Sequence, residues 1–162
     1  MGCGAHISST WFVSLLVSLP QSYLIIILGF ALCGLSISVS KALLVAVVDA
    51  LFSHFIHQYP LWFGFHTLFF VTVSVAACYI LTRHGLLKIM AAILAGTIVA
   101  AALQSVYVPL SFTASHTTVM DLPSRPWLVV LIYIPEPIIM VILYHLVKKY
   151  GFQIMNNKAE TY

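Results

Sequence analysis

Apolar residues in this chain run in five long blocks, parted by short polar turns. The blocks reach from about Trp11 to Leu35, from after Lys41 to Ile56, from Trp62 to Leu81, from Leu86 to Leu110 and from Trp127 to Val147. Ser36–Ser40, His57–Leu61, Arg83–Gly85 and the longer Ser111–Pro126 form the turns. A block of roughly 20 apolar residues matches the hydrocarbon thickness of a bilayer. Such a segment must also satisfy its own backbone hydrogen bonds, which a helix does. The pattern therefore predicts an all-α, polytopic integral membrane protein of five transmembrane helices. It forms a single domain over residues 1–150, with a short polar cytoplasmic tail over 151–162. The second block is short, so whether it spans fully is left open; a tilt or partial lipid exposure suits it.

Composition sharpens the class. Of 162 residues, 62% are hydrophobic and only 7% charged, whereas a soluble domain carries about a quarter charged. No soluble domain fits beside five spans, and the net charge of +3 points to topology rather than to nucleic acid. Lys41, Arg83, Lys88, Lys148, Lys149 and Lys158 fall on one side of the predicted topology and Arg125 alone on the other. Basic residues stay in the cytoplasm, so the N-terminus is expected outside and the C-terminus inside a cell membrane, that of a bacterial inner membrane. Trp11, Trp62 and Trp127 then share the outer interface. The opening Met1-Gly2-Cys3-Gly4 suggests acylation only faintly, because His6 stands where Ser or Thr is wanted. No basic region precedes the first block, so it is expected to be retained. Cys33 and Cys78 lie within spans as small packing residues.

Asp49 and Glu136 carry the candidate chemistry, being two of only four acidic residues and both set near the middle of spans. A carboxyl at that depth costs several kcal/mol (roughly 2.5–3.5) unless protonated, paired or wetted. Neither span carries a nearby Lys or Arg. Pro20 precedes Gln21, and Pro135 and Pro137 flank Glu136. Each proline removes a helical hydrogen bond, kinks the helix and frees a carbonyl. Asp49, Ser53 and His57 follow one helical face, and Gln104 lies in the outer half of the fourth helix. Gln21, Asp49, Gln104 and Glu136 are the expected ligand- or ion-binding set, lining a cavity open to the outer face. The first and last helices also look alike at one constant offset, 135 − 20 = 115 residues between their prolines, as a parallel repeat would.

Other features weigh less. His54, His57, His66 and His116 map to the outer half as candidates for pH response or metal binding, but no ligand of matching spacing completes a metal site and none is assigned. No cofactor is expected. Ala92, Gly96 and Ala100 form a close-packing stripe that serves the helix bundle or a homodimer. His66 and Cys78 lie on one helix roughly 18 Å apart, so they make no nucleophile–base pair. No Gly-rich phosphate loop occurs, and the chain is not expected to be an enzyme.

The order of Pro20, Gly29 and Gly34, Tyr59-Pro60-Leu61-Trp62-Phe63-Gly64-Phe65-His66-Thr67, Leu86 to Leu94, Arg125-Pro126-Trp127 and Ile134-Pro135-Glu136 resembles a known arrangement. It is similar to the multi-helix membrane sensor regions of bacterial GHKL-type sensor histidine kinases, sporulation and peptide-sensing ones among them. The resemblance covers about residues 12–149 and implies five helices, a cytoplasmic C-terminus and a sensing role. The kinase domain of that family is not expected here, which leaves a free-standing sensor module, a partner of a separate kinase, or a relative with another role. The leading expectation is a non-enzymatic membrane sensor, or ligand-binding module, for a small polar or cationic ligand. Two alternatives stand beside it. One is a small proton- or cation-coupled transporter or channel using Asp49 and Glu136. The other is a structural membrane subunit of a larger complex.

Overall fold

The computed structural model describes residues 7–56, 65–115, 132–152 and 154. Among them every regular element is helical: α1 (Ile7–Leu32), α2 (Val39–Ile56), α3 (Phe65–Thr82), α4 (Leu86–Ser115) and α5 (Pro135–Tyr150). α1 to α4 form an antiparallel ring, each helix packing on the next and α4 closing on α1, while α5 lies chiefly along α1 and touches α4. α1 is therefore surrounded. Ser22, Leu24, Ile25, Ile26, Leu28, Phe30 and Leu32 are all buried on it, and its all-round apolar sequence answers that position.

Helix ends follow local chemistry. α1 stops at Leu32 because Gly34 takes a left-handed φ of 67°. Leu35 N–H then donates to Phe30 O at 2.8 Å and Gly34 N–H to Ala31 O at 3.1 Å, the paired bonds of a Schellman cap. The first helix is thus shorter at this end than the apolar block, which runs on through the cap to Leu35. α5 ends at Gly151 with φ 62°, and Ile154 N–H beyond it caps Leu32 O of α1 at 2.7 Å. At its start α5 departs from the sequence reading. Residues 132 and 133 are helical, Ile134 is a turn, and the helix resumes at Pro135. Pro135 and Pro137 therefore stand in a first turn, where missing N–H groups break no internal bond, rather than in a span interior. Pro20 lies inside α1 and Pro109 inside α4, and both helices continue through them.

α1 and α4 approach through backbone. A methyl group added at Gly29 would collide with the Ala92 carbonyl, and one at Gly96 with that of Ile25. The stripe Ala92, Gly96 and Ala100 is buried here within the chain against α1, so it serves the bundle.

The outward surfaces are apolar. Leu68, Ile80, Leu87, Ile98, Val106, Leu110, Ile138 and Ile142 are exposed, Leu87 and Ile80 to 80% and 77%. Two stretches, Leu15–Leu32 and Leu86–Thr113, are long and apolar enough to cross a membrane, and Thr67–Thr82 is apolar but shorter. Among the described residues the expectation of five spans thus narrows to two that meet the length requirement. α2 and α5 are short at 18 and 16 residues and hold the buried carboxyls among the described residues, Asp49 and Glu136, with several lysines. Lys41, Arg83, Lys88, Lys148 and Lys149 gather at one end of the bundle, where His84 Nε2 lies 3.1 Å from Ser36 O across the two turns.

Candidate functional site

Glu136 occupies the first turn of α5, where the helix N-terminus favours negative charge. Its side chain is 1% exposed. Oε2 accepts from the Tyr107 hydroxyl at 2.8 Å and from Gln104 Nε2 at 3.1 Å. Oε1 accepts from the same Gln104 nitrogen at 3.0 Å and from Gln21 Nε2 at 3.3 Å. One carboxyl therefore ties α5 to both α1 and α4. Tyr133, on the helical turn leading into α5, lies within its electrostatic reach.

Register explains the meeting. Gln104 and Tyr107 are three apart on α4 and so share a face. Gln21 and Glu136 are 115 residues apart, the offset that aligned the two helices in sequence, and Leu32 and Val147, the same offset apart, belong to one apolar cluster between α1 and α5. Gln21 stands eight residues before Gly29, and Gln104 eight after Gly96. The antiparallel glycine contact thus sets both amides about 12 Å further along, at ~1.5 Å per residue, at one level.

Asp49 belongs elsewhere. It is 2% exposed on the inward face of α2, and its Oδ2 accepts from the Ser74 hydroxyl of α3 at 2.7 Å. Its Oδ1 is buried without a hydrogen-bond partner. The four predicted residues thus separate: Gln21, Gln104 and Glu136 form one cluster on α1, α4 and α5, and Asp49 forms another with Ser74. Both carboxyls are enclosed, whereas the sequence suggested the floor of an open cavity. Among the described residues no Lys, Arg or His bonds to either one.

Two partners escaped the sequence reading. Tyr107 had a signal, standing one turn beyond Gln104. Ser74 had none, since only the α2–α3 register selects it among the serines. Of the histidine candidates, His57 and His116 lie outside the described residues, as do the side chains of His54 and His66. Among the described residues no three His, Cys, Asp or Glu side chains converge as a metal site would require.

Removing the shortest donor tests the cluster's energetics. Tyr107→Phe is expected to cost about 1 kcal/mol, as a typical net hydrogen bond does. That corresponds to a drop of roughly 2–4 °C in Tm for a chain of this size, read by thermal unfolding in detergent. An unchanged Tm would mean the contact contributes nothing.

No family model, curated protein or solved structure matches this chain.

Proposed function

We propose that this chain is a five-helix integral membrane module that senses a small cation at Glu136 and passes its occupancy to the basic end of α5. One observation carries the reading: a fully buried carboxyl accepts from three neutral side chains on two other helices, without a cationic partner among the described residues. Neutral donors hold an anion in place but leave its charge uncancelled. A small cation supplies what they do not. The apolar outer surfaces and the two long apolar helices support the membrane setting. The basic cluster at the other end of the bundle supports a cytoplasmic C-terminus.

Coupling follows from position. Glu136 holds the start of α5, and Lys148 and Lys149 stand one helix length away, about 20 Å at ~1.5 Å per residue. A cation that binds one tilt of α5 better than another shifts the population between them. The resemblance to kinase sensor regions agrees with such a role, with a separate kinase or a second copy as receiver.

A second reading, a proton- or cation-coupled transporter, is favoured by the other buried carboxyl, Asp49. Reconstituted protein separates the two. Sensing predicts that sodium or tetramethylammonium raises Tm saturably, that Glu136→Gln abolishes the rise, and that liposomes show no cation or proton flux. Flux that disappears in Glu136→Gln overturns sensing in favour of transport. Neither stabilisation nor flux from folded protein overturns both.

A further inference from the structure

We infer that Asp49 and Ser74 form a second site, separate from the Glu136 cluster, whose ligand is an exchangeable proton carried on Asp49 Oδ1. The site stands inside the four-helix ring. Asp49 shares the inward face of α2 with the buried Ala42, Val45, Ala46, Ala50 and Ser53, and Ser74 and Cys78 lie one turn apart on the buried face of α3. Those neighbours are small or hydroxylic, and the carboxyl they surround is only half satisfied. The Ser74 hydroxyl serves Oδ2 at 2.7 Å, while Oδ1 is buried and unpartnered.

The contrast with Glu136 decides the assignment. Both oxygens of Glu136 accept hydrogen bonds, four contacts in all, which suits a carboxylate. Asp49 receives a single donor, so as an anion it would leave a bare oxygen in an apolar setting, at the full desolvation penalty. A metal cation needs several oxygen ligands. Asp49 and Ser74 supply few, and a proton needs no such set. Protonation makes one O–H bond at Oδ1 and cancels the charge, with the Ser74 bond to Oδ2 retained.

The facing groups leave this titration to Asp49. On α3 they are Ser74 and the thiol of Cys78; on α1 they are the thiol of Cys33 and the partly buried Tyr23 near the same core. On α2 itself Lys41 lies two turns away at the exposed end of the helix. Among the described residues none of these groups bonds to Oδ1.

Infrared spectroscopy of the full chain in lipid tests the inference, with a Glu136→Gln background removing the other buried carboxyl among the described residues. The expected result is a carboxylic-acid C=O band that shifts in D₂O, is lost as pH rises, and vanishes in Asp49→Asn. Asp49→Glu, which keeps the acid, should retain a displaced band even if Asp49→Asn folds poorly. Ser74→Ala should shift the band because it loses its one hydrogen bond. An acid band unchanged by Asp49→Asn overturns the inference. So does a band insensitive to pH and D₂O, since that describes a sealed structural acid. Loss of the band on adding sodium at fixed pH also overturns it, because the ligand is then a metal cation.

Discussion

Gly96→Val is expected to remove most of the folded protein. Its first added carbon falls onto the Ile25 carbonyl, and backbone cannot swing aside as a side-chain tip can. Overpacking usually costs about 1–3 kcal/mol and occasionally more; here α1 and α4 must part along their length, so ~3 kcal/mol or more is expected. The sign makes the test clear, because helix propensity alone should make glycine to valine gain about 0.3–0.5 kcal/mol. Gly29→Val, facing the Ala92 carbonyl, should behave alike. Gly85→Ser, where an added Cβ meets nothing within 4 Å, should lose no stability. Monodisperse yield and Tm in detergent read all three. Equal behaviour at Gly85 and Gly96 would show that α1 and α4 do not meet as described.

Glu136→Ala is the second large effect. It strands two amides and a hydroxyl, those of Gln21, Gln104 and Tyr107, in a buried space. Each unsatisfied donor costs roughly 1–3 kcal/mol, although polar contacts inside membranes average nearer 0.6. Gln21 and Gln104 both bond the same carboxyl oxygen, so they are placed to pair with each other once it is gone. A net loss of about 2–3 kcal/mol is expected, with Glu136→Gln milder because it keeps the shape and one acceptor. A Tm drop no larger than that of Tyr107→Phe would mean the carboxyl does not organise its neighbours.

Much of this was legible in the residues. Blocks of apolar sequence marked all five helices among the described residues, and the fourth began at Leu86 as expected. Charge scarcity singled out Asp49 and Glu136, and the proline-polar pairs drew into one comparison Gln21 and Glu136, whose side chains bond to each other. Other features depended on packing. Whether Asp49 shares a site with Glu136 depends on which helices are neighbours: α2 and α5 both pack on α1 and not on each other, and apolar helix faces carry no sequence mark of that arrangement. Pro135 read as an interior kink because the apolar block runs through it, yet proline is equally at home in a first turn. Ser74 became visible only through the α2–α3 register. The two glycines could have been paired earlier, since Gly29 and Gly96 stand equally far from Gln21 and Gln104.

The central claim is that Glu136 holds α5 in place and so governs its basic end. Electron–electron spin distances measure this directly between labels at Lys41→Cys on α2 and Lys148→Cys on α5, in a Cys3→Ser chain. Cys33 and Cys78 are buried and should not take label. The account predicts one narrow distribution with Glu136 intact, and a shifted or broadened one in Glu136→Ala. Superimposable distributions would contradict it, leaving α5 fixed by its apolar contacts with α1 alone and Glu136 without a role in holding the helix.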